Sequence, residues 1–324
     1  MQRKFFEETD IEFESANIIV GAGAKQLIFA ALMATIDEKD EVVVPSPFWV
    51  SYRDIAKVFG GKVITVDLNE SSGFVPNVEA LTKEFTKKTK WLILNSPNNP
   101  TGAVYTKAFF SELEKALEAF PDIMILSDEI YEEITYNGER APSILTAAPK
   151  LKERSLVING VSKKYAMTGW RIGYAIGPKN LVSAMNTIIG QTTTNACSIS
   201  QEAAAKAISG SQEFFKSFMV EYKKRRDFIV EELSEIKGLS FAKPEGAFYI
   251  FVSCKDFLNK YKYKEKRIQT DVDFVSYVMD VGGVSVVPGT AFGMEGYFRI
   301  CFAKNKDTLK EAMKRIKDAL NLLK

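Results

Sequence analysis

Not one of the 324 residues is histidine. That excludes Ser-His-Asp and Cys-His nucleophile activation, HExxH metal sites and every imidazole general base. Proton transfer must fall to lysine, tyrosine, aspartate, glutamate or a bound cofactor. Cysteine is scarce: Cys197, Cys254 and Cys301 are far apart and form no CxxC. No disulfide framework is expected; a reducing, cytoplasmic setting is, with each thiol filling core space. Excess charge is lacking too, since 43 basic and 41 acidic residues leave a net +2. No strong field is present to attract nucleic acid or a membrane surface. The basic clusters at 87–88 and 223–226 read as solvated helix faces. The longest apolar run, residues 27–36, is too short to span a bilayer. Residues 1–8 carry Arg3, Lys4, Glu7 and Glu8, too much charge for a secretory signal.

What is present alternates. Strands are expected at 17–20, 41–44, 62–66, 91–94, 123–126, 155–158 and 171–176. Helices are expected at 25–35, 52–59, 106–119 and 181–189. Several strands are apolar throughout, as in a sheet covered on both faces. The alternation predicts a doubly wound α/β domain over residues 1–211. A charged helical connector follows, at 212–238. Residues 239–324 then read as a smaller α+β domain with its own core, with strands at 247–252, 284–287 and 297–302 and a last helix from Lys306. No internal repeat or low-complexity segment interrupts this order.

The strongest chemical signal is S-K-x(5)-G-x-R-x-G, in which Ser162 and Lys163 precede Gly169, Arg171 and Gly173. It begins in the loop after a strand ending at Gly160, and ligands bind at that edge of open α/β sheets. Arginine suits a phosphate because its planar fork donates two parallel hydrogen bonds. Upstream, Gly21, Ala22, Gly23, Ala24 and Lys25 join a strand to a helix whose first amides form a phosphate seat. Four more segments stand out: a loop with Trp49, the Ser96, Pro97, Asn98, Asn99, Pro100, Thr101, Gly102 loop, Asp128 with Tyr131, and Arg299. Each has a plainer reading on its own. Lys163 and Lys164 could form a surface turn, Asn99 and Pro100 an ordinary turn, Asp128 a helix cap, Trp49 core, and Arg299 a solvated strand arginine.

Taken together and in this order, the segments resemble the class I aminotransferases that depend on pyridoxal 5'-phosphate (PLP), most of all the bacterial aspartate and aspartate/prephenate group. The resemblance covers essentially the whole chain. It implies the type I PLP-dependent transferase fold, with a mostly parallel sheet in the large domain and a smaller α+β C-terminal domain. It implies that Lys163 is the catalytic residue and carries PLP as a Schiff base, while Lys164 falls one residue out of register. Arg171, Gly23, Ala24, Lys25 and Ser162 would surround the cofactor phosphate, and Trp49 would stack on the ring. Asp128 would pair with the ring nitrogen, keeping it protonated so that the ring acts as an electron sink. Asn99 and Tyr131 would reach the 3'-oxygen.

On the substrate side the resemblance implies that Arg299 binds the α-carboxylate, Trp49 and Asn99 touch substrate, and Lys25 favours a distal carboxylate. The expected activity is transamination of aspartate with 2-oxoglutarate, possible also with prephenate, by a homodimer that binds amino acids and 2-oxo acids. No metal is implied. The rivals are β-elimination or decarboxylation on the same fold, and an inactive, truncated aminotransferase-like chain that binds PLP weakly or not at all. The sequence departs from the family in two ways. Gly160 stands where a serine phosphate ligand is usual, and the chain is about 75 residues short at its N-terminus by length. Without that segment the chain is expected to have weak or no transaminase activity and reduced stability.

Overall fold

Residues 42–45, 91–94 and 156–158 are apolar at every position, which suits strands covered on both faces. The computed structural model, which describes residues 1–263 and 266–323, puts them inside a seven-stranded sheet. Its strands are β1 (Ile18–Gly21), β2 (Glu41–Ser46), β3 (Lys62–Asp67), β4 (Thr89–Asn95), β5 (Met124–Asp128), β6 (Ser155–Gly160) and β7 (Gly173–Ile176). They lie in the order β1-β7-β6-β5-β4-β2-β3. Only β7 runs against its neighbours.

Alternate residues feed opposite cores, as the period of two requires. Val42, Val44, Trp91, Ile93, Leu156 and Ile158 pack against helices Ala24–Thr35, Ser51–Val58 and Lys179–Thr192. Val43, Leu92, Leu94 and Val157 pack against helices Val78–Lys83, Lys107–Ala116 and Ile144–Ala147. Because β1, β2, β4, β5 and β6 point the same way, their carboxyl ends share one edge. The antiparallel β7 begins at that edge.

Helix Glu213–Ser234 leads to a four-stranded antiparallel sheet in the order β12-β13-β9-β8. These strands are β8 (Ser240–Phe241), β9 (Tyr249–Ser253), β12 (Val287–Pro288) and β13 (Tyr297–Cys301), and β10 (Lys262–Tyr263) pairs with β11 (Lys266–Arg267) outside it. Helices Asp271–Gly282 and Lys306–Asn321 cover this sheet.

Five expectations need correction. The C-terminal core is not self-contained, because Tyr131, Ile134 and Tyr136 of the N-terminal part are built into it. The strand expected at 284–287 shrinks to Val287–Pro288, since Val284 and Val286 pack into the core instead of pairing. The strand expected from Arg171 starts at Gly173, because Arg171 is left-handed, with φ 55°. Arg226 is not solvated: it is buried, bonds Asp227 at 2.6 Å and lies 4.4 Å over the Tyr136 ring, while Lys87 and Lys88 sit on a turn rather than a helix. Cys197 is exposed at the start of helix Ser198–Ser209 and is not core filler, whereas Cys254 is buried.

Candidate active site

The shared sheet edge collects the polar residues singled out above. At the end of β1, Gly23 caps helix Ala24–Thr35 with φ 95°. A Cβ at Gly23 would sit 2.4 Å from Arg171 Nη2, so only glycine lets the guanidinium lie against these first helical amides. Arg171 is fixed by Nη1 donating to Thr168 O at 2.9 Å and Nη2 to Ala22 O at 3.3 Å. Helix amides and a guanidinium side by side form an anion seat. The Gly160 departure has a steric cause: a Cβ there would lie 2.9 Å from Ile172 O. No side chain fits at that position as the strands are packed.

Beyond β2, Trp49 packs edge-on to Tyr52 with centroids 5.4 Å apart, and Lys25 Nζ lies 4.9 Å from the Trp49 ring centroid. Beyond β4, Asn95 Oδ1 accepts from Asn99 N at 2.9 Å, which fixes the Asn99 loop to the strand end. Asn99 Oδ1 accepts from Arg299 Nη1 at 2.8 Å, so the amide nitrogen is the atom free to serve a ligand. Arg299 comes from β13, an interior strand, and its guanidinium lies 4.5 Å over Tyr249 and 4.9 Å over Phe292. Its Nε is buried without a partner among the described residues. A buried donor left unmatched in this way is expected where a ligand completes the bonding.

At the end of β5, Asp128 is buried; its Oδ2 accepts from Tyr52 OH at 2.6 Å and its Oδ1 from Ile130 N at 3.2 Å. Burial raises the carboxyl's proton affinity, and the Tyr52 and Ile130 donors and nearby Lys163 work against that. Tyr131 OH and Tyr249 OH lie 2.9 Å apart. After β6, Lys163 Nζ lies 5.6 Å from the Tyr131 ring centroid. Burial lowers its pKa and Asp128 pulls the other way. Its neighbour Lys164 is held elsewhere, with Nζ donating to Glu133 at 2.6 Å.

One cavity of about 360 Å³ is lined by Ala24, Lys25, Trp49, Asn99, Asp128, Tyr131, Ser162, Lys163, Arg171 and Arg299. Gly23 is the one site candidate outside this lining, and it abuts Arg171. Sequence reasoning missed Tyr52, Asn95, Thr168 and Tyr249, which line the same cavity. Tyr52 had a usable signal: it follows Trp49 by three residues, and a single turn, with Tyr52 N donating to Trp49 O at 3.0 Å, brings the two rings together. Tyr249 had none, because only the pairing of β9 with β13 brings it to Arg299.

A sequence model of aminotransferase classes I and II matches residues 1–316. The chain belongs to this family. Among similar proteins of class I and II aminotransferase type is a probable aspartate/prephenate aminotransferase of Rickettsia typhi, 44% identical over all of this chain and 81% of the relative. An aspartate aminotransferase of Rhizobium meliloti is 44% identical over all of this chain and 79% of its own length. The crystal structure of a Rhizobium meliloti aspartate aminotransferase superposes with TM-score 0.95 at 44% identity, over all of this chain and 81% of that one. Thermus thermophilus aspartate aminotransferase with maleate gives 0.88 at 36% identity, over 98% and 79% of the two chains. The chain is thus an aminotransferase with the type I PLP-dependent transferase fold.

Next to Asp128 lies a second buried carboxyl that lines no part of the cavity. Glu129 Oε1 accepts from Ser127 Oγ at 2.8 Å and Ile144 N at 3.0 Å. Burial, and then the charge of Glu132, raise its pKa from 4.5 to about 7. A raised carboxyl binds more protons folded than unfolded, so stability falls as pH rises from 4.5 through 7. Glu129→Gln is therefore expected to be more stable than wild type at pH 8, by about 1–3 kcal/mol. The gain should vanish below pH ~4.5, as urea melts at the two pH values will show.

Proposed function

We propose that this aminotransferase uses PLP bound at Lys163 to transfer the amino group of aspartate to 2-oxoglutarate in two half-reactions. The observation that carries the reading is the convergence of Lys163, Asp128, Asn99, Arg171 and Arg299 on one cavity. The residues fit the cofactor. The glycine cradle at Gly23 and the fork of Arg171 suit a phosphate, buried Asp128 suits a protonated pyridine nitrogen, and the unmatched Nε of Arg299 suits a carboxylate. When bound, PLP supplies an electron sink that acidifies the amino acid's α-carbon.

The chain's own residues do the rest. Lys163 is the amine that would carry the cofactor and the base that would take the proton from Cα. Its lowered pKa, caused first by burial, favours the neutral amine that both tasks need. Arg299 grips the α-carboxylate, and its bond to Asn99 sets the angle of that grip. Asp128 and the seat formed by Gly23, Ala24, Ser162 and Arg171 would hold the two ends of the cofactor. Asn99 and Tyr131 would serve its 3'-oxygen, and Trp49 would cover its ring.

Substrate choice rests on Lys25, whose ammonium is stacked on Trp49 at the cavity wall. It is the cation available for a distal carboxylate. Prephenate is the second acceptor reading, favoured by the name of the Rickettsia typhi relative. Lys25→Ala should raise KM for aspartate ten- to hundredfold, from loss of a charge-assisted contact of ~1.5–3 kcal/mol, and leave an aromatic amino acid nearly unaffected. Steady-state kinetics with both donors check this, and equal loss for both would overturn it. Following oxaloacetate and glutamate against pyruvate plus ammonia in the same assay tests transamination itself.

The same reading makes residues 1–211 the cofactor domain, 212–238 the connector and 239–324 the small domain, supported by the two sheets on either side of helix Glu213–Ser234. It makes the active form a homodimer, supported by exposed Phe214 and Phe218, whose rings meet at 5.5 Å. Light scattering would measure that. A cytoplasmic setting is supported by three free cysteines. Among the described residues, no helix is long and apolar enough to cross a membrane.

A further inference from the structure

Tyr52 was not among the residues picked out by sequence, yet it makes one of the most enclosed polar contacts at the site. It is 1% exposed, Asp128 is 4% exposed, and the phenol donates to Asp128 Oδ2 at 2.6 Å. Asp128 Oδ1 is taken by the Ile130 amide at 3.2 Å. Each carboxylate oxygen therefore has one fixed donor, so the group cannot rotate without losing both. Asn95 Nδ2 donates to the Asp128 carbonyl at 2.9 Å and pins the backbone as well.

We propose that Tyr52 is a positioning residue for the amino-transfer reaction: its hydroxyl holds the Asp128 carboxylate charged and oriented, so that the proton shared with the cofactor's ring nitrogen stays on the nitrogen. The inference rests on the assignment of Asp128 to that nitrogen. In a dry setting a lone carboxylate gains proton affinity, and a donor bonded to the charged form reverses part of that gain. Tyr52 is suited to be this donor. Burial, followed by the charge of Asp128, holds its own pKa well above the usual tyrosine range, so it stays protonated across the working pH. Trp49 packs edge-on against its ring and Tyr52 itself lines the cavity, so the contact sits where cofactor would lie. Without the hydroxyl, Asp128 keeps only one donor to its carboxylate and competes better for the shared proton. The ring then withdraws electrons less strongly, which slows proton removal from Cα without weakening substrate binding.

The test uses the full chain loaded with 15N-labelled pyridoxal phosphate, comparing wild type with Tyr52→Phe and with Tyr105→Phe. Tyr105 is as buried as Tyr52 but lines no part of this cavity. Borohydride reduction and peptide mapping first establish where the cofactor is attached. In Tyr52→Phe the 15N resonance should move toward the unprotonated pyridine position. The value of kcat should fall roughly ten- to hundredfold with KM nearly unchanged. Tyr105→Phe should match wild type. If Tyr52→Phe loads cofactor at Lys163 but keeps the wild-type resonance, the inference is overturned and the site assignment stands. An equal shift in Tyr105→Phe overturns it too, since any buried phenol would then do. If wild type carries no cofactor at Lys163, the site assignment and the inference fail together. Should Tyr52→Phe not fold, 3-fluorotyrosine at position 52 gives the converse test. Its more acidic phenol should draw the resonance further toward the protonated position, and an unmoved resonance overturns the inference.

Discussion

Lys163→Ala is expected to abolish amino transfer, lowering kcat by about 10⁵-fold or more, while Lys164→Ala keeps most of the activity. The two lysines are adjacent in sequence but face different partners. Lys163 lines the cavity that also holds Asp128, Asn99, Arg171 and Arg299, whereas Lys164 is tied to Glu133 at 2.6 Å and lies 5.3 Å over the Tyr165 ring. On the proposed assignment, alanine at 163 removes both the amine that holds the cofactor and the base for Cα; the other amine at the cavity, Lys25, lies over the Trp49 ring and is assigned to the substrate's distal carboxylate. The phenols of Tyr52 and Tyr131 are held well above the usual tyrosine range, first by burial, and so are poor bases for Cα. Alanine at 164 removes only the salt bridge to Glu133. The resulting loss should be less than about twofold at saturating PLP and should appear mainly in loading of cofactor. Turnover of aspartate by both variants at saturating PLP separates the two cases. Comparable loss in both would show that the loop, rather than the Lys163 amine, limits the reaction.

The largest expected effect on stability lies in a buried charge network behind the site. Glu132 is buried, and its carboxylate bonds Lys4, Arg140 at 2.5 Å and Asn159 at 2.6 Å. Lys4 is also buried and bonds Glu8, which in turn receives Arg140 at 2.8 Å. The carboxylates of Glu8, Glu132 and Glu133 approach within 4.8 Å of one another, but Lys4, Arg140 and Lys164 satisfy them, as a structural ion network requires. Glu132→Gln should cost about 3–5 kcal/mol at pH 7, because it strands the buried Lys4 cation beside one remaining carboxylate. Lys4→Met with Glu132→Leu should recover much of that, since apolar groups of similar volume carry no desolvation cost. The pH dependence gives an independent check. Burial pushes the Glu132 carboxyl up, but Lys4 and Arg140 outweigh it and leave its pKa lowered. A lowered carboxyl stabilises the fold above its unfolded value of 4.5 and loses that contribution as pH falls further. The gap between wild type and Glu132→Gln should therefore narrow in acid. Denaturant melts at pH 7 and pH 4 measure it, and a constant gap would contradict the network's role.

The sheet was legible because burial on both faces leaves a continuous apolar signature at β2, β4 and β6. The loops of the candidate site were legible because their polar residues sit at strand ends: Asn99 follows β4, Asp128 ends β5, and Lys163 follows β6. What the sequence hid depended on contacts distant in the chain. Tyr249 reaches the site only through the pairing of β9 with β13, and the bond from Tyr52 to Asp128 spans 76 positions. Arg171 was misread as strand because its left-handed backbone leaves no mark in a β-rich run. The Lys4 network was not legible, since residues 1–8 showed only too much charge for a secretory signal and nothing local marks a buried lysine. Helix Gln2–Thr9 escaped notice for the same reason.

The central claim is that Lys163 carries the cofactor and performs the proton transfer. Its most direct test is chemical: load the wild-type chain with PLP, reduce with borohydride, digest, and locate the modified residue by mass spectrometry. A single pyridoxyl label on Lys163, lost when aspartate is added before reduction, is the predicted result. A label on Lys164, or none at either lysine, would contradict the account.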